Sequence, residues 1–202
     1  MTVSRRAFLG ATLSGVALAA VHRTHAATAA GARSVPPQLL ERALGALQRH
    51  GERIEHRDVI GIADFSLPSS SPRFYLLNLA DGSVSSHLVA HGRGSDPTHT
   101  GWLQRFSNEP HSNATSAGAY RTGALYVGGH GPALHLDGLD PTNSNAAARA
   151  IVVHGAWYVS PHLLDTFGRL GRSQGCFAVG DASLAELLAK LGPGRLIYAD
   201  KV

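Results

Sequence analysis

The hydrophobic pattern changes its period near residue 58. Before it, Leu39, Leu40, Ala43, Leu44 and Leu47 recur at helical spacing, with Glu41, Arg42, Gln48 and Arg49 on the other face. That spacing predicts one amphipathic helix after Pro36-Pro37. After it the apolar runs are short. Residues 59–65 and 73–79 read as strands separated by a Ser/Pro-rich turn. Asp81-Gly82 then leads into a third run, 83–91, and predicts a hairpin closed by a type I′ turn. Further strands are expected over 119–127, 133–136 and 150–154, with the turn-rich 137–145 between the last two. Residues 182–191 read as a helix, which Gly192-Pro193-Gly194 ends before a closing strand at 195–199. Because strands follow one another instead of alternating with helices, the expected fold is mainly β with a few helices, and a doubly wound sheet is excluded.

Residues 92–113 break the pattern. They are polar, contain Trp102 and two glycines after His91, and are too long for an ordinary connection. A lid or a substrate-facing loop is the expectation there.

The N-terminus is patterned differently again. Ser4-Arg5-Arg6, then Phe8-Leu9, opens the apolar run 10–21, and Ala27-Thr28-Ala29 offers a small-x-small cleavage site. These features together make a secretory signal of the twin-arginine type. About 12 apolar residues are too few to span a bilayer, which takes roughly 20. The expected organisation is a signal peptide over 1–29, a linker and amphipathic helix over 30–57, and one catalytic domain over 58–202. It implies export to the periplasm or cell envelope, with no stable membrane anchor after cleavage. It also changes the charge. The formal net charge of +4 includes Arg5, Arg6 and Arg23, while no acidic residue precedes Glu41; without those three, 15 basic residues face 14 acidic ones, a net +1. Nothing in that balance points to nucleic acid.

Cys176 is the only cysteine among the 202 residues. It is a buried bystander, an intermolecular link or a reactive group. Ser173, Gln174 and Gly175 before it form a small turn that could present the sulfur beside free backbone amides. Upstream, His154 ends a β-branched run that could hold it rigidly. A thiol is only a few per cent ionised at neutral pH, and an adjacent imidazole converts it into a useful nucleophile. His154 is therefore the candidate base and Cys176 the candidate nucleophile, with the backbone at Ser173, Gln174 and Gly175 as the oxyanion site. Trp157, Tyr158 and Arg172 flank the pair and are candidate substrate contacts. The other histidines do not make a metal site. His87 and His91 are four apart, but no Glu follows His87 as a His-Glu-x-x-His motif requires, and one cysteine cannot supply a Cys/His zinc set. Neither a metal nor another cofactor is expected. Gly92-Arg93-Gly94 lacks the strand–turn–helix context of a phosphate loop.

His154-Gly155, Gly168 and Ser173-x-Gly175-Cys176 followed by Phe177 resemble the signature of YkuD-type L,D-transpeptidases, in particular the murein L,D-transpeptidase catalytic domain family. Ser116-Ala117-Gly118-Ala119-Tyr120 is similar to the strand upstream of that family's site, and 184–199 to its closing helix, glycine turn and last strand. Two positions differ: Gln174 stands where the family usually has histidine, and Ala178 where it has a basic or amide residue. The interval from His154 to Ser173 is also slightly longer than usual. The resemblance implies a YkuD-like β-sandwich and attack by Cys176 on the L-centre carbonyl of a peptidoglycan tetrapeptide stem. It further implies release of the terminal D-amino acid, transfer of the acyl group to an amine, and acylation by carbapenems. Two alternatives remain open: an L,D-carboxypeptidase or endopeptidase using the same Cys/His site, and a non-catalytic cell-wall-binding module.

Overall fold

The computed structural model describes residues 35–202, so the expected signal peptide and most of the linker lie outside the described residues. Within them a 13-residue helix, α1 (Pro37–Arg49), comes first. The strands are β1 (Val59–Asp64), β2 (Phe74–Asn78), β3 (Val84–His87), β4 (Val89–Ala90), β5 (Gly118–Gly128), β6 (Gly131–Gly138), β7 (Val152–Gly155), β8 (Phe177–Val179) and β9 (Leu196–Asp200). Helix α2 (Pro161–Phe167) separates β7 from β8, and α3 (Asp181–Leu191) separates β8 from β9. All nine strands form one sheet in the order β3-β2-β1-β9-β5-β6-β7-β8-β4. The strands at its two ends, β3 and β4, are separated in sequence by Leu88 alone, so the sheet must curl until its edges nearly meet. Two pairs are parallel, β1 with β9 and β7 with β8. The second holds the candidate site.

Period-2 alternation sorts the side chains into layers. From β1, Ile60 and Ile62 point outward and pack under Leu39, Ala43, Ala46 and Leu47 of α1, together with Leu77, Leu196 and Tyr198. Helical spacing predicts Leu39, Ala43 and Leu47 of this stripe, but Leu44, also expected there, is 39% exposed and Ala46 is buried instead. Each leucine fully removed from water there contributes on the order of 2 kcal/mol. Ala63, from the other face of β1, joins Phe74, Tyr120, Leu134, Val153, Phe177 and Ile197 in the interior of the curled sheet, which Leu184, Leu187 and Leu191 of α3 plug. The result is mainly β with three helices among the described residues, as the strand pattern implies.

Several details depart from expectation. The run 83–91 is two strands, because the chain changes edge at Leu88. The Asp81-Gly82 turn is not type I′: Gly82 alone has positive φ, at 73°, and the loop is held by Gly82 N–H donating to Asn78 O and by Ser83 N–H donating to Asp81 Oδ1. Strand β7 begins at Val152, two residues later than expected, because Ala150 is in the left-handed region with φ 53°. Helix α2 and the three-residue β8 are additional. Residues 92–113 carry no long element but are tightly tied down: Asp96 accepts from the Thr100 and Gly101 amides, and Gln104 N–H donates to Ser95 O.

Candidate active site

Strand pairing brings the segments of the two predicted reactive residues side by side. In the parallel β7/β8 pair Val153 lies opposite Phe177 and His154 opposite Ala178. Val153 and Phe177 enter the inner core, while Ala178 belongs to the separate cluster with Ala90, Ala156, Val159 and Leu170 on the other face. Cys176 immediately precedes β8, so continuing the register by one residue would set it beside Val152, two positions along β7 from His154. Ideal sheet spacings put the Cα positions of Cys176 and His154 about 8 Å apart. No hydrogen bond joins them. The thiol instead lies 3.6 Å from Ala150 O, which accepts it.

The histidine keeps one ring nitrogen free of hydrogen. His154 is buried at 6% exposure, and its Nδ1 lies 2.8 Å from Gly155 O. A carbonyl only accepts, so Nδ1 carries the hydrogen and Nε2 keeps its lone pair. The His130 ring, from the β5–β6 hairpin, stacks on His154 with centroids 5.2 Å apart and planes at 28°. Burial pulls the His154 pKa below its ordinary value; the Gly155 carbonyl opposes this and His130 adds to it. Burial also pushes the Cys176 thiol up, opposed by the Val152 amide, the Arg149 guanidinium and its own amide. The two directions agree: at rest the site holds a neutral thiol and a neutral imidazole.

Ser173 staples the cysteine turn. Its Oγ donates to Cys176 O at 2.7 Å and accepts the Gly175 N–H at 3.1 Å, while its own amide donates to His91 O. The Gly175 amide is therefore engaged inside the turn, and the Gln174 and Cys176 amides remain as candidate oxyanion donors. Gly175 is required for shape. It has φ +120°, and a Cβ there would sit 2.8 Å from both Ala114 O and Ile151 Cδ1. Gln174 is exposed at the turn's tip. The Gly92-Arg93-Gly94 segment finds its explanation here as well. A Cβ at Gly92 would sit 2.8 Å from Gly175 Cα, and one at Gly94 1.9 Å from Ser112 O, so these glycines let backbone press against backbone beneath the cysteine turn.

The three expected substrate contacts differ in setting. Trp157 is 77% exposed and meets Tyr158 edge-on at 5.9 Å. Tyr158 is half-buried beside the thiol, and burial pushes it up to about 12, with the Cys176 charge adding to the rise. Arg172 is committed to the 92–113 loop, donating to Asp96 O and to Pro97 O, and anchors that loop instead of reaching outward.

Other polar side chains surround the candidate pair with little local sequence signal. Arg149 and His130 lie far from Cys176 in sequence and reach the site only through the loop before β7 and the β5–β6 hairpin. Beneath the turn runs a buried polar chain. Arg73, fully buried, donates twice to Val89 O, once to Leu67 O and at 2.8 Å to His91 Nδ1, and His91 Nε2–H faces Asp96 Oδ2 at 3.4 Å. Burial first, and Arg73 second, push His91 down to about 4. The only available signal was a histidine ending an apolar run ahead of a glycine-rich loop. Among the described residues no three His, Cys, Asp or Glu side chains converge as a metal site needs, and no helix is long and apolar enough to cross a membrane.

A family model described as the L,D-transpeptidase catalytic domain matches residues 31–199. No curated protein sequence matches. Among solved structures, an L,D-transpeptidase from Mycobacterium smegmatis is similar at 16% identity and TM-score 0.43, over 71% of this chain and 58% of that one. The helical cell shape determining protein Pgp2 from Campylobacter jejuni is similar at 14% identity and TM-score 0.48, over 73% and 49%. An L,D-transpeptidase from Xylanimonas cellulosilytica is similar at 17% and 0.41, over 82% and 71%. The chain thus spans less than two thirds of the first two proteins.

Proposed function

Since this chain belongs to the L,D-transpeptidase catalytic domain family, we propose that it is an exported peptidoglycan L,D-transpeptidase that works through a Cys176 acyl-enzyme on tetrapeptide stems. The observation that carries the reading is the pairing of β7, which holds His154, with β8, which Cys176 immediately precedes, together with the Gly155 hydrogen bond that leaves Nε2 of His154 unprotonated.

The chemistry follows from that arrangement. When substrate enters and excludes water, the Cys176 proton leaves the Ala150 carbonyl for His154 Nε2, and the sulfur forms a bond to the L-centre carbonyl carbon. The carbonyl π pair moves to oxygen, which accepts from the Gln174 and Cys176 amides. Collapse breaks the C–N bond, and the imidazolium gives its proton to the departing D-amino acid. An acceptor amine then attacks the thioester carbonyl, losing a proton to His154, and the thiolate leaves and is reprotonated. Trp157, exposed and edge-on to Tyr158, offers a surface for the stem peptide, and Tyr158 walls the sulfur. No cofactor takes part, because an existing amide bond supplies the acyl group. The acyl donor and acceptor lie outside the cytoplasmic membrane, which agrees with a twin-arginine signal over 1–29.

Incubation with purified tetrapeptide muropeptides tests the reading. Cross-linked dimers together with free D-amino acid are expected. Tripeptide stems alone place water in the acceptor's role and make the chain an L,D-carboxypeptidase. Unchanged substrate with folded protein rejects both, leaving a non-catalytic cell-wall-binding module.

A further inference from the structure

Arg149 lies where three segments meet: the loop at 107–116, the start of β7 and the cysteine turn. Its Nη1 donates to Ser107 O at 2.8 Å and Ser116 Oγ at 2.7 Å, and its Nη2 to Ser112 Oγ at 3.3 Å and to Ala114 O. None of these four acceptors is a carboxylate, so the guanidinium is held firmly while its charge is left uncompensated. The same Nη2 would be 3.2 Å from a Cβ on Gly175, and Ala114 O, which it binds, would be 2.8 Å from that Cβ. The guanidinium therefore rests against the turn that carries Cys176. The next residue, Ala150, adopts φ 53°, a conformation an L residue with a Cβ takes at a cost of about 1 kcal/mol, and its carbonyl is the one that holds the thiol.

We propose that Arg149 is a positioning residue for Cys176: it clamps the 107–116 loop onto the cysteine turn and supplies the fixed positive charge that stabilises the thiolate as the proton leaves Sγ for His154 Nε2. The proposal rests on the reading of Cys176 as nucleophile. The groups facing the sulfur are few. His154 is on the adjacent strand β7, and Tyr158 and Tyr120 are near enough for the sulfur's charge to act on them, both pushed to the alkaline side by burial and therefore neutral at working pH. Arg149 is the charged group whose field favours the thiolate. A clamp that also carries charge explains why an arginine stands there: its fork satisfies four oxygens at once and cannot lose its proton.

The thiol is unique in the chain, so alkylation by iodoacetamide reports it without ambiguity. The rate is followed from pH 6 to pH 10.5 for the wild type, Arg149→Gln and Arg149→Lys. Loss of the charge in Arg149→Gln is expected to move the inflection up by about one pH unit and slow alkylation at pH 7 roughly tenfold. Arg149→Lys is expected to restore most of that rate. An unchanged inflection in Arg149→Gln overturns the proposal, and so does a lower limiting rate at high pH with the inflection unmoved, which is what a purely structural residue gives. Should Arg149→Gln fail to fold, the wild type alone decides. Its ratio of iodoacetate to iodoacetamide rates must exceed that of N-acetylcysteine and fall with added salt; a ratio equal to that of the free thiol rejects the charge. Alkylation requires no peptidoglycan. A shifted inflection together with failed muropeptide turnover would reject the transpeptidase reading and leave the role of Arg149 standing.

Discussion

Acid should unfold this domain through one buried histidine. His91 is 1% exposed, and its Nδ1 accepts from Arg73, a guanidinium that has only hydrogens to offer. Protonating His91 would direct one N–H at another and add a second cation to a dry site, with Asp96 at 3.4 Å as the only counterweight. Its pKa is accordingly pushed down to about 4. The sign follows from linkage. Above about pH 6.5 neither state of His91 is protonated and its contribution does not change with pH. As pH falls through that value the unfolded chain takes the proton and the folded chain does not, so stability declines until about pH 4. The loss is about 3 kcal/mol over that window. Urea unfolding followed by the fluorescence of Trp102 and Trp157 should show it as a midpoint roughly 1.5 M lower at pH 4 than at pH 7. Other groups titrate in the same direction, His87 and His154 among them, so the comparison that isolates His91 is with His91→Gln. Its amide oxygen can accept from Arg73 and its NH₂ can face Asp96, but it does not titrate. The variant should be about 1 kcal/mol less stable at pH 7, and the gap should close and reverse as pH falls to 4. Stability curves that run parallel across the window would refute the reasoning. The consequence reaches the site, because His91 O accepts the Ser173 amide that fixes the cysteine turn.

Two further outcomes test the turn and the base. Gly175→Ala places a Cβ at φ +120° against Ala114 O and Ile151 Cδ1; it should cost about 2–3 kcal/mol by thermal unfolding and slow acylation of Cys176, and a variant as stable and as reactive as wild type contradicts the packing described. In the wild type the acylation rate should fall on acidification with an inflection below 6.5, because the depressed pKa keeps His154 neutral to lower pH than a free imidazole. His154→Gln should lose that limb and react about 10²–10⁴-fold more slowly; a rate within tenfold of wild type removes His154 from the base role.

How much was legible in the sequence depended on the range of the forces involved. The α1 stripe was readable because Leu39, Ala43 and Leu47 face one layer and their spacing records it, although Leu44 turns outward and Ala46 inward. Strands β1, β2, β5 and β9 were readable as runs bounded by turn residues. Cys176 and His154 could be singled out because residue type and a local glycine turn carry the chemistry. Strand β8 was not readable: three residues gain strand geometry only from pairing with β7 and β4, partners more than twenty residues away. Helix α2 buries none of its residues fully, so it has no apolar stripe, although Ser160-Pro161 and Gly168 are its N-cap, first residue and left-handed C-cap. The split at Leu88 follows from closure of the sheet, which no local pattern encodes. Arg149, His130 and the Arg73–His91–Asp96 chain were invisible for the same reason, since each acts on the site through a contact made by the folded topology. The Gly92 and Gly94 spacing looked like a weak phosphate motif, whereas its cause is backbone pressed against Gly175 and Ser112.

The central claim is that Cys176 is the nucleophile of an acyl-transfer site, and intact mass spectrometry after exposure to a carbapenem tests it most directly. An increment of one carbapenem is expected on the wild type, located at Cys176 by peptide mapping and absent from Cys176→Ala. A folded wild type that gains no mass, or a Cys176→Ala variant that still gains it, contradicts the account.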